Sequence, residues 1–153
     1  MSIVERELAL FRHPRLAPLA TSAWPAWLWS ADGSQIVWAN GVGAAIFGSA
    51  TVETGTQRHL GVGDARAGQI ARLAPTLSTA GQERLERLRG FGAAFGRALT
   101  CACSRIVLSD GNAGVLIAAA EPAGPELRLG ERVHRLFGDC AEPIAAFAPD
   151  GTL

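Results

Sequence analysis

Between Trp24 and Gly48 the chain runs Trp-Pro-Ala-Trp-Leu-Trp-Ser-Ala-Asp-Gly-Ser-Gln-Ile-Val-Trp-Ala-Asn-Gly-Val-Gly-Ala-Ala-Ile-Phe-Gly, and few local folds suit that order. Two short apolar runs, Trp27 to Ala31 and Gln35 to Ala39, flank Asp32-Gly33, a pair suited to the positive φ angles of a tight turn. They are expected to pair as antiparallel strands. Asn40 follows at once, and its side chain can accept from the open backbone donors of a first helical turn. Val42, Ala45 and Ile46 then recur at helical spacing until Gly48 ends the pattern. The unit is strand, turn, strand, Asn cap, short helix.

That order of residues resembles the opening of a PAS sensory domain, whose first hairpin carries Asp-Gly, whose second strand enters a helix through an Asn, and whose helix closes at a Gly. The resemblance is close from Trp24 to Gly48 and looser onward to about Glu121, where it implies further helices and three more antiparallel strands. The fold class it implies is α+β, a PAS-like five-stranded antiparallel sheet with helices on one face, plus flanking N- and C-terminal helices. No motif residue of that family is catalytic, so the resemblance implies a role and not a reaction.

At 153 residues the chain is about one domain long, enough to bury roughly two thirds of its unfolded surface. Fourteen Arg, with no Lys, balance fourteen Asp plus Glu to zero formal net charge. That leaves neither a nucleic-acid footprint nor a polybasic membrane patch. Cys101, Cys103 and Cys140 are odd in number and two are one residue apart. A disulfide-stapled secreted scaffold would need another arrangement, so a reducing cytoplasm is the expected compartment. The first residues carry acids where a signal peptide needs a basic start, and no run approaches the ~18 apolar residues of a membrane span.

In chain order, Val4, Leu8 and Phe11 place one apolar seam on a short helix that Pro14 limits. His13 superficially matches the phosphoacceptor box of sensor histidine kinases, but Pro14 stands where that box has an acid, and a solvated His is preferred. Ser49 to Gly63 shows no period and is taken as a connection. Asp64 is suited to cap a helix whose stripe is Ile70, Leu73, Ala74 and Leu77, with Pro75 and Gly81 limiting its length. Glu83 to Leu88 has helical propensity, yet the resemblance implies a strand near Arg84 to Phe91, which is adopted. Leu99 to Leu108 and Ala113 to Ala120 are β-rich runs separated by Ser109-Asp110-Gly111-Asn112, a hairpin signal. Neither face of the first run is purely apolar, because Arg105 interrupts one and Thr100 and Ser104 the other, so its register stays open.

Glu121-Pro122-Ala123-Gly124-Pro125 cannot continue a ladder and marks a boundary. Beyond it Leu129, Val133 and Leu136, with Phe137 beside them, give a second narrow seam. The last residues repeat the first motif: with Pro25 set on Pro143, Trp29 falls on Phe147 and Asp32-Gly33 on Asp150-Gly151. The expected organisation is a flanking helix over 1–20, a PAS-like domain over 21–121, a linker helix over 122–140, and the start of a second similar domain over 141–153. The chain is accordingly expected to be a piece of a longer protein.

Chemistry-bearing constellations are few. Gly41 and Gly43 stand after a strand and open a helix, but Ile46 occupies the third small position of a dinucleotide fingerprint and the strand belongs to a hairpin. Cys101 and Cys103 share a strand face without further ligands at zinc-like spacing, and are expected as buried small hydrophobes. No motif supports haem at His59 or a flavin-adduct cysteine, so any cofactor is unknown. No Ser-His-Asp, paired-carboxylate or phosphate-loop arrangement stands out.

Trp29, Trp38 and Phe47 are the ligand-pocket candidates, since alternate residues of the first two strands and the following helix would face the space between sheet and helices. A core filled by these rings is the competing expectation. Val4, Leu8, Phe11, Leu129, Val133 and Leu136 are the dimer-seam candidates, which makes a homodimer the expected assembly. The resemblance implies a sensory, signal-transduction module of a cytoplasmic sensor histidine kinase in a two-component phosphorelay, not itself an enzyme. The alternative is a ligand-free protein–protein interaction or dimerisation module.

Overall fold

The computed structural model describes residues 3–48, 60–61, 63–137 and 150–151. Among them are four helices, α1 (Ile3–Arg12), α2 (Gly41–Ile46), α3 (Ala65–Leu73) and α4 (Leu129–Phe137). Five strands, β1 (Ala26–Ser30), β2 (Ile36–Ala39), β3 (Arg84–Arg89), β4 (Ala98–Val107) and β5 (Ala113–Ala119), form one sheet in the order β2-β1-β5-β4-β3. Every pairing is antiparallel. The molecule is thus α+β with a five-stranded antiparallel sheet, consistent with a PAS-like fold.

The opening hairpin forms where the apolar runs place it, but its turn works differently. Only Gly33 takes a positive φ, 73°. Asp32 contributes its carboxylate instead, its Oδ1 accepting from Ser30 Oγ at 2.6 Å, Ser34 N at 3.0 Å and Ser34 Oγ at 2.8 Å. The side-chain acceptor organises the loop in place of a second left-handed residue.

Across the sheet the apolar residues split into two cores. The inner face carries Trp27 and Trp29 of β1, Leu99, Cys101 and Cys103 of β4, and Val115 and Ile117 of β5, and meets α2, α3, Leu77 and Phe91. The outer face carries Leu28, Trp38, Ile106 and Leu116, and meets Leu10, Leu16 and Leu136 of the flanking segments. The register left open for β4 is thereby settled. Cys103 lies opposite Ile117 and Ser104 opposite Leu116, and directly opposed residues share a face. Ser104, buried on the outer face, is satisfied by a 2.9 Å bond from Arg15.

The segment of disputed propensity is the strand β3, ended by Gly90 at a φ of 82°, before the expected Phe91. Its alternation lets Leu88 reach the inner core opposite Leu99, and that tertiary pairing outweighs helical propensity of a few tenths of a kcal/mol per residue. Helix α3 is capped by Asp64, which accepts from Arg66 N at 2.8 Å and Ala67 N at 3.4 Å. Pro75 converts the chain after Leu73 to a 3-10 turn, Ala74–Thr76. Leu77 therefore reaches the core on extended backbone and not as part of the helical stripe, while still buried.

The flanking helices also turn differently from expectation. In α1 it is Leu10 that is buried, while Leu8 is 48% exposed and Phe11 is half-buried. In α4 Leu136 is buried, Val133 half-buried and Leu129 52% exposed. Two of the seam candidates, Phe11 and Leu136, are thus engaged within the chain. Burying a leucine of this kind stabilises the docked helix by roughly 2 kcal/mol, which an exposed seam could recover only from a partner. The side chain of Val4 and, of the expected repeat over 141–153, all but Asp150-Gly151 lie outside the described residues.

Candidate functional site

Asn40 joins the two halves of the site. It is fully buried, between β2 and α2. Its Oδ1 accepts from Gly43 N at 2.9 Å and Ala26 N at 3.1 Å, and its Nδ2 donates to the carbonyls of Leu19 and Trp24, both at 2.9 Å. All four hydrogen-bonding positions of the amide are filled. The sequence pointed to the first of these bonds only, because the other three depend on how the N-terminal flank folds back.

On the inner face, Trp27, Trp29, Phe47 and Phe91 form a closed ring cluster, with centroids 5.2 to 6.2 Å apart. Tilted and edge-on contacts at these separations are the favourable ones. Trp27 Nε1 donates to the carbonyl of Gly43 at 3.0 Å, whereas Trp29 Nε1 is buried without an acceptor. Arg66 closes the outer side, its guanidinium 4.6 Å from the Phe47 ring centroid and its Nη2 2.8 Å from Asp64. That bond, the largest effect, holds the Asp64 carboxyl down at about 2. Phe91 was not among the sequence candidates. It follows a charged strand and a Gly, and no periodicity marks it.

The structure brings Trp29 and Phe47 together and parts Trp38 from them. Trp38 lies directly opposite Leu28, so it shares the outer face with Leu28 while Trp27 and Trp29, one residue to either side, point inward. Trp38 belongs to the outer core with Leu10, Leu16 and Leu136, and is withdrawn as a partner of Trp29 in any inner pocket. Its Nε1 is likewise buried without an acceptor.

The outer face is where the entering and leaving helices meet. The rings of Phe11 and Phe137 lie 5.9 Å apart. Arg132 reaches from α4 to the carbonyl of Thr21 at 2.9 Å and to that of Leu127 at 2.6 Å.

The remaining candidates resolve chemically. Gly41 and Gly43 serve close approach: a Cβ at Gly41 would lie 3.3 Å from the Arg132 carbonyl, and one at Gly43 only 2.6 Å from the Ala26 carbonyl. The Gly43 amide is already taken by Asn40, which removes one of the donors a phosphate would need. Cys101 and Cys103 are free and buried, and burial raises both thiols, Cys103 to about 12. His13 lies beyond α1, its Nδ1 accepting from Arg15 N at 3.2 Å. His59 and Cys140 lie outside the described residues.

Among the described residues no cluster of His, Cys, Asp and Glu could hold a metal ion, and no helix is long and apolar enough to cross a membrane. An open groove of about 780 Å³ runs between the β1–β2 turn and α3, touched by Asp32, Ala67 and Arg72. A second, of about 270 Å³, lies on the outer sheet face beside Arg15 and Ala102. Neither is lined by the ring cluster. Compared with family models, curated proteins and solved structures, the chain matches none of them.

Proposed function

We propose that the chain is a PAS-type relay module, of the kind that precedes the catalytic part of a cytoplasmic sensor histidine kinase, and that it carries conformational information between its core and its flanking helices. One observation carries this reading: α1 and α4 dock on the same outer sheet face, with Leu10 and Leu136 in one apolar cluster and Phe11 against Phe137. Strand β1 sits between that cluster and the ring cluster, with Trp27 and Trp29 on one side and Leu28 on the other. A ligand or partner that favours one arrangement of the core can shift how the helices sit only by its difference in affinity for the two arrangements.

Hydrogen exchange on the intact chain tests the relay. Trp29→Phe disturbs the inner core without touching either helix. Loss of amide protection in α4 comparable to that in α2 is the expected result, and unchanged α4 protection would overturn the relay.

A second reading, a ligand-free interaction module, is favoured by the closed ring cluster. Native mass spectrometry with an absorbance scan on freshly purified protein separates the two. A retained small molecule supports the sensor; a bare polypeptide mass supports the interaction module. Dimerisation through the helices is tested at Leu8 and Leu129, the two exposed seam positions. If the seams join two copies, Leu8→Ser with Leu129→Ser lowers the dimer population in sedimentation; an unchanged population refutes that route.

A further inference from the structure

Strand β3 forms one edge of the sheet, with β4 on one side only. Gln69 closes its far end, donating through Nε2 to the Arg89 carbonyl at 2.8 Å and accepting through Oε1 from Arg89 N at 2.9 Å. The backbone groups of Arg89 therefore point away from β4. In an antiparallel ladder that orientation recurs every second residue, so the N–H and C=O of Leu85 and Arg87 point outward as well. Among the described residues no backbone bond meets them. At the near end Arg15 holds the Gly81 carbonyl at 3.1 Å. Leu85 lies in the stretch that Gln69 leaves open and is 66% exposed.

Sheet edges are commonly guarded by charge, which repels a second strand. The charges on β3 have a different order. Glu83-Arg84-Leu85-Glu86-Arg87 carries opposite signs at matching distances on either side of Leu85. A twofold axis through Leu85 sets Arg84 opposite Glu86 of a second copy and Glu83 opposite Arg87, each pair occurring twice, with Leu85 on Leu85. Moving the axis one residue to Glu86 opposes Glu86 to itself, and moving it to Arg84 opposes Arg84 to itself, and directly opposed like charges destabilise a pair. At the Leu85 axis the outward N–H and C=O groups of Leu85 exchange two hydrogen bonds with those of its copy.

We infer that β3 is an isologous docking edge for a second copy of this chain, joined antiparallel through Leu85 so that two sheets become one continuous sheet. Within one chain Arg84 pairs with Glu86 at 2.6 Å and Arg15 with Glu83 at 2.9 Å, and the second copy would share these charges. The contact is made at the sheet edge opposite β2 and stands or falls independently of any signalling role.

Sedimentation equilibrium of the full chain at low salt tests this. A reversible dimer that weakens with added salt is expected. Leu85→Pro removes an N–H that faces away from β4, a position at which a strand tolerates proline, and is expected to leave a monomer. Arg87→Glu, an exposed change whose folding is checked by circular dichroism, sets like charges opposite each other twice and is expected to weaken the dimer about tenfold. Adding Glu83→Arg to Arg87→Glu re-forms both pairs between copies at the loss of the Arg15–Glu83 pair within each, so its folding is checked in the same way, and it is expected to restore most of the lost affinity. A monomer at every concentration, a dimer indifferent to Arg87→Glu, or a double variant no tighter than the single one would each overturn the inference.

Discussion

The side-chain amide of Asn40 donates to the carbonyl of Leu19 at 2.9 Å, so the residue that starts α2 also holds the turn arriving from α1. One buried polar group thereby couples the first hairpin, the short helix behind it and the N-terminal flank. Its partners are all backbone groups, which cannot turn to water without moving the elements that carry them.

Asn40→Ala removes four hydrogen bonds at once and strands the Gly43 and Ala26 amides and the Trp24 carbonyl, while the Leu19 carbonyl keeps the bond from Ser22 N at 3.2 Å. A loss of about 3 kcal/mol or more is expected, since each stranded buried group costs roughly 1 to 3 kcal/mol and neighbouring losses overlap. Urea unfolding measures it. A change below about 1 kcal/mol would mean that Asn40 does not couple these segments.

Gly43→Ala tests propensity against packing. Alanine is favoured over glycine in a helix by about 1 kcal/mol, but its Cβ would lie 2.6 Å from the Ala26 carbonyl and 2.9 Å from Trp27 Nε1. Net destabilisation of about 2 kcal/mol is expected in thermal unfolding. A stabilised variant would show that α2 can move away from β1 freely.

Stability is expected to fall on acidification below pH 4. Hydrogen bonds from Ser30 and then Ser34 hold Asp32 at about 2 against an ordinary 3.8, and the bond from Arg66 holds Asp64 at about 2. A carboxyl depressed in the folded state contributes its stability above the unfolded value and loses it as pH drops through the folded one. The window is therefore about pH 4 down to about 2, and the effect is modest because both groups are partly hydrated. Unfolding midpoints of Asp32→Asn with Asp64→Asn should vary less across that window than those of the parent; equal slopes would refute the assignment.

Cys101 and Cys103 should be inert until the sheet opens, being buried with thiols raised mainly by desolvation. In a Cys140→Ser background, labelling by a thiol-specific disulfide reagent at pH 8 should proceed at the rate of global unfolding. Immediate labelling of either thiol in native protein would contradict the placement of that β4 face inside.

Local order was legible where one residue type serves one geometric need. Gly33 at its positive φ, Asn40 and Asp64 at helix starts, and the Asp110-Gly111 turn between β4 and β5 all stand where the sequence puts them. Trp38 and Phe91 were not legible. Alternation assigns Trp38 to the face opposite Trp29 once the pairing register is known, but a sheet apolar on both faces does not announce which is which. Phe91 joins the ring cluster from just past Gly90, whose positive φ ends β3.

By itself, then, the sequence determined the elements and their punctuation, because φ preferences, caps and alternation act over a few residues. Tertiary structure alone decided which face of β1 became the ring cluster and which took the helices, and that Leu10 and Leu136 rather than Leu8 and Leu129 are buried. Burial depends on what lies across the sheet, and those partners come from segments far apart in the chain whose meeting no local pattern records.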